Sequence, residues 1–400
     1  MTKLLKPFKA THYNPKLIKN LTDVISPPYD VISASQRKTL EGRSPYNFCH
    51  ILLTKNDDYK ALGDTYRKWV AEQILVDDDT DSLYFLEHSF NHDGKKYTRL
   101  GVLALLKMDE KGGIKAHEFT LAKPKADRTR IINEVQANLS PIFGLAAKSV
   151  PELERLHRQC KKTKPFLAFK DLDGNANRLW KISDPKLISG AFGALNRHAL
   201  VIADGHHRFE VAHEYFKANP GRFKDLNYIL AYVTYAQKGL LVLPTHRVVE
   251  LAEKHEQILE KLRPVFHIKE LSQSALTKSL TRKGIFSFGL YAHKRWYLCT
   301  LRSKDILNKK FKKSIYKEVD TYLLHELVFP LLTIKGPIEY THNIQEAKKM
   351  AGTIKSAFLL KAIPVETIAR VAHAGFRLPQ KSTYFYPKVP SGALMRRFKV

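Results

Sequence analysis

One short segment of the sequence combines residue types that bind anions. The apolar run Ala199–Ala203 predicts a buried strand, which ends at Asp204 and Gly205, and a helix begins directly afterwards. A helix start offers unpaired amides and the positive end of the helix dipole. Gly205 lets a ligand approach the backbone, and Arg208 adds a planar pair of donors suited to phosphate. The segment therefore predicts a phosphate-binding turn.

The same residues admit plainer roles. Asp204 is a good candidate for the helix N-cap, because its carboxylate can accept hydrogen bonds from first-turn amides. His206 and His207 either supply donors and a proton acceptor near neutral pH or simply line the surface. A metal site at these histidines is less favoured, since adjacent side chains rarely point the same way and the sequence shows no third ligand. We retain Asp204 and His206 as catalytic candidates, Gly205, His207 and Arg208 as phosphate- or nucleotide-binding candidates, and no protein residue as a metal ligand.

Phosphoryl transfer also needs a carboxylate near the accepting hydroxyl, usually with Mg²⁺. Asp30 follows Pro27, Pro28 and Tyr29, a rigid turn that would hold a catalytic group in place, although a surface turn is the alternative. Glu118 follows a predicted strand and is a second candidate for the base or the magnesium partner. Asp30 and Glu118 complete the catalytic candidates.

Further cations could contact the same phosphates. Arg128 follows Asp127, which we interpret as a helix N-cap. His246 and Arg247 follow a predicted strand and a proline. Lys381 and Lys388 flank three aromatic residues near the end of the sequence, and a packed tail with partly exposed lysines explains them as well as substrate contact does. The additional phosphate-binding candidates are Arg128, His246, Arg247 and Lys381.

The surrounding pattern alternates helices with hairpins. Helices are predicted over Tyr59–Ile74 and near Arg128–Ala137, and a hairpin over Leu83–Leu86 and Leu100–Leu106. Further predicted hairpins join Tyr228–Tyr235 to Leu240–Leu243 and Ile285–Tyr291 to Trp296–Leu301, and helices follow near Val319–Leu332 and Gln345–Ile354. This alternation favours a mixed α/β (α+β) architecture. We predict an N-terminal α+β region over 1–149, a region that carries the turn over 150–248, and a C-terminal α+β region over 249–400.

Composition narrows the class of protein. A net charge of +28 favours contact with polyanions, although no known nucleic-acid motif accompanies it and a generally basic, solvated surface is the alternative. The three cysteines lie far apart, which argues against a disulfide framework. No apolar stretch is long enough to span a membrane. We expect a cytoplasmic protein with no membrane partner.

The chain resembles the prokaryotic domain-of-unknown-function family numbered 1015, and the turn resembles that of the ParB/sulfiredoxin-like superfamily. The residues that carry the resemblance run almost from end to end: Pro27-Pro28-Tyr29-Asp30-Val31, Asn47-Phe48, Ser82-Leu83-Tyr84, Arg99 with Gly101, His117-Glu118 with Thr120, Asp127-Arg128, Asn138 with Ser140-Pro141-Ile142, the Asp204–Arg208 turn, Leu243-Pro244-Thr245-His246-Arg247 and Pro379–Lys388.

The resemblance implies a fold and two competing functions. It implies a ParB/sulfiredoxin-like core with additional α+β regions, and a superfamily that includes nucleotide-dependent serine kinases. The first expectation is a kinase-like phosphotransferase that uses ATP or ADP with Mg²⁺ on a small hydroxylated metabolite, with serine or phosphoserine as the expected example. The alternative is a ParB-like nucleotide-binding regulator associated with nucleic acid. The positive charge favours this alternative, whereas the absence of a clear helix-turn-helix signature argues against it. A thiol-linked repair activity is weakly indicated, because no cysteine lies beside a cationic or helix-start signal.

Overall fold

The computed structural model of the protein describes residues 4–108, 113–120, 122–281, 284–312 and 314–400. The chain divides into two compact units. The first unit contains residues 1–116, 120–241 and 387–400, and the second contains residues 117–119 and 242–386. Both units are discontinuous in sequence. Residues 387–400 belong to the first unit although they follow the second, and residues 117–119 belong to the second although they lie within the first. The division into three regions at 149 and 248 stays a prediction.

A nine-stranded mixed sheet forms the centre of the first unit within the described residues. The strand Tyr228–Tyr235 runs parallel to Ile142–Ala146 and antiparallel to Lys95–Lys107. The strand that precedes the turn, Leu200–Asp204, is antiparallel to Ile142–Ala146. The strands follow this order across the sheet, with Leu5–Lys6 also paired to Lys95–Lys107: Ile114–Lys115, Leu200–Asp204, Ile142–Ala146, Tyr228–Tyr235, Lys95–Lys107, Leu83–His92, Ala176–Ile182 and Leu167–Lys170.

Helices and two short strand pairs complete the first unit. The helix Pro151–Cys160 buries Leu153 and Leu156, and the helix His206–Ala218 buries Val211, Ala212 and Tyr215 in the same core. Full burial of one such apolar side chain stabilises the fold by roughly 1.5–3 kcal/mol. Two pairs join Thr11–Tyr13 to Leu75–Asp77 and Ala137–Asn138 to Arg396–Arg397. The other helices are Ala34–Arg43, Cys49–Leu52, Tyr59–Ala71, Ala122–Val135 and Pro185–Asn196.

The second unit is built on a six-stranded antiparallel sheet. Its strands follow the order Phe266–Leu271, Arg295–Leu301, Ser287–Ala292, Lys355–Leu359, His246–Leu251 and Ile334–Thr341. The helices of this unit are His255–Leu262, Gln273–Leu280, Lys304–Lys310, Asp320–Leu323, Ile344–Ala351 and Val365–His373, and a π-helical turn over Leu324–Val328 continues the fourth of them.

The mixed α/β architecture is confirmed, with two local corrections. The predicted hairpin between Tyr228–Tyr235 and Leu240–Leu243 is wrong. The strand Leu241–Leu243 pairs with Tyr384–Tyr386, because both edges of Tyr228–Tyr235 are already occupied by other strands. Asp127 is not a helix N-cap, since its helix begins at Ala122 and accommodates Pro124 in its first turn.

No helix in the part of the chain that the structure describes is long and apolar enough to cross a membrane.

Candidate phosphate-binding site

The turn between the strand and the helix has the geometry that only glycine adopts easily. The strand Leu200–Asp204 ends at Asp204, and Gly205 follows with a φ of +88° and a ψ of 29°. This left-handed conformation costs other residues roughly 1–2 kcal/mol. Gly205, rather than Asp204 as predicted, is the N-cap of the helix His206–Ala218. The Asp204 carboxylate is therefore engaged elsewhere.

Two cations share the carboxylate of Asp204. Arg208 donates from Nη2 to Oδ2 of Asp204 at 2.7 Å, and Lys388 donates from Nζ to Oδ1. All three side chains are largely buried. Burial alone would raise the pKa of the Asp204 carboxyl, but the charges of Lys388 and Arg208 more than offset it and hold the pKa well below its ordinary value. Asp204 is therefore an ionised counter-ion that fixes two cations at the turn.

The guanidinium of Arg208 folds back over the turn. Its Nη1 donates to the carbonyl oxygen of Pro141, and its Nε is buried without a hydrogen-bond partner among the described residues. A Cβ atom at Gly205 would lie 3.1 Å from Nε, Cζ and Nη2 of Arg208. Glycine thus makes room for the guanidinium. A buried N–H without an acceptor is unfavourable, so Nε is an unsatisfied donor at the turn.

Arg208 and Arg128 line one cavity of about 60 Å³ together with Tyr29, Ser140 and apolar side chains. Such a volume accommodates a few ordered waters or one small polar group. The guanidinium of Arg128 is held by Asp127, with its Nε 2.8 Å from Oδ2, and by the carbonyl oxygen of Leu52, 3.0 Å from its Nη1. Its Cζ lies 3.9 Å from the centre of the Tyr29 ring, a cation–π contact. Two guanidinium groups therefore border the same small space.

Tyr29 brings the proline turn to this cavity. Burial and the neighbouring charge of Asp30 raise the pKa of Tyr29 to about 12, although Arg128 and Arg208 act in the opposite direction. The hydroxyl therefore stays protonated at neutral pH and can donate a hydrogen bond. Asp30 itself is exposed on the same turn. Its predicted catalytic role stays a prediction.

Arg99 is a third, fully buried cation near the turn. Its guanidinium carbon lies 4.9 Å from the ring centre of Phe143 and 5.6 Å from that of Tyr232. Burial lowers the pKa of Arg99, and the negative charge of Asp204 is one of the groups that act against this shift. Arg99 thus adds to the positive potential around Asp204.

The two histidines occupy different environments. His206 is buried and its charge helps to lower the pKa of Asp204, whereas His207 is partly exposed in the first helical turn. Within the described residues, no group of three or more His, Cys, Asp or Glu side chains could hold a metal ion.

Four of the predicted site residues lie in the second unit. Glu118 accepts hydrogen bonds at Oε1 from the amide and the hydroxyl of Thr383, at 2.9 and 2.8 Å. Arg247 is fully buried, and its Nη2 donates to the carbonyl oxygen of Lys381 at 3.2 Å. Burial lowers the pKa of Arg247 to about 10, although Tyr340 and Glu118 act against the shift. These contacts make Glu118, Arg247 and the Lys381 backbone one cluster.

His246, the fourth of these residues, is a buried neutral ring. Its Nδ1 accepts a hydrogen bond from the amide of Leu360 at 3.2 Å. Burial and the charge of Arg247 lower the pKa of His246 to about 3. A ring with this pKa is neutral at neutral pH, so His246 would contact a phosphate by hydrogen bonding and not by charge, and its predicted role stays a prediction.

The structure thus places Arg208 and Arg128 at one cavity in the first unit, and Asp204 and Gly205 contact the Arg208 guanidinium from the turn. Sequence reasoning selected Lys381 from the aromatic tail, but Lys388, seven residues later, is the lysine that reaches Asp204. In the sequence, Tyr29 stands out only as part of the proline turn, and Arg99 only as a residue that carries the family resemblance. No local pattern distinguishes these residues, because their positions depend on contacts between distant parts of the chain. The roles predicted for individual residues stay predictions.

Comparisons with known proteins give a family and distant structural resemblances. A family model described as "Protein of unknown function (DUF1015)" matches residues 5–322. None of the curated proteins matches the chain. A free serine kinase variant solved in complex with ADP is 13% identical, with a TM-score of 0.40, over 74% of this chain and 92% of that one.

Two further solved structures are equally distant. SbnI with a C-terminal truncation, from Staphylococcus aureus, is 11% identical, with a TM-score of 0.38, over 72% of this chain and 84% of that one. A conserved hypothetical protein from Pyrococcus furiosus is 14% identical, with a TM-score of 0.36, over 72% and 93%. Resemblances this distant indicate nothing about the activity, which has to be considered from the site itself.

Proposed function

Because the chain belongs to the DUF1015 family, whose description names no activity, we propose its function from its own residues: nucleotide-dependent transfer of a phosphoryl group to a small hydroxylated metabolite. The observation that carries the proposal is the Asp204 carboxylate shared by Arg208 and Lys388 at a helix start. An ion pair of this kind holds both cations in place before a ligand arrives, so that little side-chain entropy is lost on binding.

The cavity supplies the donors that a phosphate group needs. Arg208 and Arg128 border this space with their cationic side chains, and the protonated Tyr29 hydroxyl adds a neutral donor. Charge-assisted hydrogen bonds from guanidinium groups are about twice as strong as neutral ones. These groups would hold a phosphate and stabilise the charge that develops on it during transfer, which is most of what catalysis of phosphoryl transfer requires.

The remaining roles follow from position. Asp30 is exposed next to Tyr29 and would accept the proton of the attacking hydroxyl. ATP or ADP would supply the phosphoryl group, and Mg²⁺ would neutralise charge on the nucleotide phosphates. Serine is the first acceptor to test, because the turn Asp204–Arg208 resembles that of a superfamily containing serine kinases.

The test is an assay of the purified chain with ATP or ADP, Mg²⁺ and serine, in which phosphoserine is measured by mass spectrometry. Arg208→Ala should weaken nucleotide binding by roughly 10- to 150-fold, equivalent to the 1.5–3 kcal/mol typical of a hydrogen bond to a charged group. Asp30→Asn should lower kcat while leaving nucleotide binding within a few-fold of the wild-type value.

Arg155→Ala is the matched control, because Arg155 is an exposed arginine on the helix Pro151–Cys160. It should bind nucleotide as the unmodified chain does. Nucleotide binding that is lost in Arg208→Ala, without turnover of serine or any other hydroxylated metabolite, would contradict the phosphotransferase and leave a nucleotide-binding regulator. An equal affinity in Arg208→Ala and Arg155→Ala would contradict the binding site itself.

A further inference from the structure

A basic groove of about 340 Å³ lies in the first unit, on residues that the proposed phosphotransferase does not use. Three separate segments of the chain carry its cationic side chains: the N-terminal strand region, the loop after the helix His206–Ala218, and residues 396–399. Together these contribute six cationic side chains, which define the C-terminal basic groove: Lys6, Lys9, Lys224, Arg396, Arg397 and Lys399.

A buried arginine fixes the shape of this groove. The Nη2 of Arg396 donates to the carbonyl oxygens of Asp225 and Lys224, at 2.5 and 3.2 Å, and its Nη1 donates to that of Tyr228. The amide of Lys224 in turn donates to the carbonyl oxygen of Lys399 at 2.8 Å. The loop and the chain end are therefore tied together, and the cations that they carry are held on a common wall.

The acidic side chains neutralise only part of this charge. Lys6 pairs with Asp225 at 2.6 Å. Arg397 and Lys399 share the single carboxylate of Asp77, at 3.4 and 3.0 Å. Asp81 also lines the groove, so three side-chain carboxylates, those of Asp77, Asp81 and Asp225, stand against six cationic side chains. A net positive charge therefore remains along the wall.

Two lysines of the groove are not paired with an acidic side chain within the described residues and could contact an anionic partner. Lys9 and Lys224 are exposed, and neither forms an ion pair with any residue that the structure describes. We propose that the C-terminal basic groove binds the sugar–phosphate backbone of a single-stranded nucleic acid without reading its bases. Several phosphates spaced along a strand match cations contributed by three segments better than one compact anion does.

The lining residues favour contact with the sugar–phosphate backbone of the nucleic acid over stacking with its bases. Phe8, the one aromatic residue among the described lining residues, is buried, so its ring offers no face on which a base could stack. Recognition would then depend on charge alone and would be independent of sequence. The net charge of +28 over the whole chain would further increase the rate of encounter with such a polyanion.

Fluorescence anisotropy with the full chain tests this, using a labelled single-stranded oligonucleotide of mixed sequence at several salt concentrations. Each phosphate neutralised contributes about −0.7 to the slope of log K against log salt for single strands. The double variant Lys9→Ala/Lys224→Ala should make this slope less negative by about 1.4. At 0.1 M salt the double variant should bind the oligonucleotide roughly 25-fold more weakly. This is the loss of affinity that corresponds to a slope change of about 1.4 over a tenfold range of salt concentration.

The control is Lys38→Ala/Lys60→Ala, which removes the same charge from exposed positions on two helices of the same unit. It should retain nearly all of the binding, and thermal melting should show that both double variants are folded. Arg208→Ala should also retain it, so that a failure of the phosphotransferase leaves this proposal intact. Equal losses in the two double variants would overturn the groove and indicate diffuse attraction. If inorganic tripolyphosphate at matched phosphate concentration displaces the oligonucleotide efficiently, the proposal that the groove binds nucleic acid is wrong and a small polyphosphate is the ligand.

Discussion

Lys388 donates a hydrogen bond to the Asp204 carboxylate from 184 residues further along the chain. The other oxygen of that carboxylate accepts from Arg208, only four residues away. One carboxylate therefore links a local contact within a turn to a distant contact with the C-terminal segment. Both side chains of the Lys388–Asp204 pair are largely buried, so the pair is screened little by solvent.

Replacement of Lys388 by methionine should destabilise the protein and raise the pKa of Asp204. The substitution keeps much of the apolar side chain but leaves part of a buried charge uncompensated, and the loss of one partner of a buried pair costs about 3 kcal/mol. The free energy of unfolding, measured with urea at pH 7, should fall by about that amount. Lys38→Met, at an exposed helical position, is the control and should change it by less than about 0.5 kcal/mol.

The pH dependence of the same variant gives a second check. The folded-state pKa of Asp204 lies below its unfolded value, so its stabilising contribution is present above the unfolded pKa and is lost as the pH falls through the folded one. The stability difference between Lys388→Met and the unmodified chain should therefore narrow as the pH is lowered below about 4. A difference that stays constant down to pH 2 would show that Lys388 stabilises the protein by packing alone.

Replacement of Gly205 by alanine should cost both stability and ligand affinity. A φ of +88° costs a residue with a Cβ atom roughly 1–2 kcal/mol, and the added Cβ would press on the Arg208 guanidinium at 3.1 Å. Gly190→Ala is the matched control. Gly190 lies in the helix Pro185–Asn196, where an added Cβ would meet no atom within 4 Å, so alanine there should stabilise the fold by roughly 0.5–1 kcal/mol. Urea unfolding measures the change in the free energy of unfolding for both variants. Equal changes would contradict the conclusion that the conformation of Gly205 is unfavourable for other residues.

The turn itself is the part of the site that sequence could predict. An apolar run followed by Asp-Gly and a helical pattern is a local signal, and the structure confirms the strand, the turn and the helix. The hairpins Leu83–His92 with Lys95–Lys107 and Ser287–Ala292 with Arg295–Leu301 are confirmed for the same reason, because alternation and turn residues act over short distances.

The partners of the turn could not be predicted in this way. Tyr29 and Arg128 meet Arg208 around one cavity although they are far apart in sequence. Their meeting depends on the order of strands in the sheet and on helix packing, which side-chain periodicity does not encode. The incorrect hairpin at Leu241–Leu243 has the same origin, because strand pairing depends on which edges are free once the whole sheet has formed.

The three cysteines should be unreactive in the native protein. Cys49, Cys160 and Cys299 are buried as free thiols. Burial raises the pKa of Cys49 to about 12 and that of Cys160 to about 11, and it raises that of Cys299 as well. Because the thiolate is the reactive form, a thiol reagent such as dithionitrobenzoate at pH 8 should modify the native chain slowly. Three thiols should titrate at once after denaturation. Rapid modification of one thiol in the native state would contradict this prediction and would favour a thiol-linked activity.

The buried pair of His88 and Arg99 gives the last prediction, a loss of stability in mild acid. The ring of His88 lies between two partners, with Nδ1 3.2 Å from Nη2 of Arg99 and Nε2 3.1 Å from Oδ2 of Asp171. Arginine can only donate, so Nδ1 accepts and the ring proton lies on Nε2. Burial, assisted by the charge of Arg99 and opposed by Asp171, lowers the pKa of His88 to about 4.

Because the folded-state pKa of His88 is below its unfolded value, the unfolded chain binds more protons between about pH 4 and 6.5. The free energy of unfolding should therefore rise with pH across this window, and His88 should account for about 3 kcal/mol of the rise. Urea unfolding at pH 4.5, 5.5 and 7 should show a smaller rise in His88→Gln than in the unmodified chain. The exposed His373→Gln is the control and should keep the full rise. The same slope in both variants would show that His88 is protonated in the folded protein, which would place its positive charge beside that of Arg99.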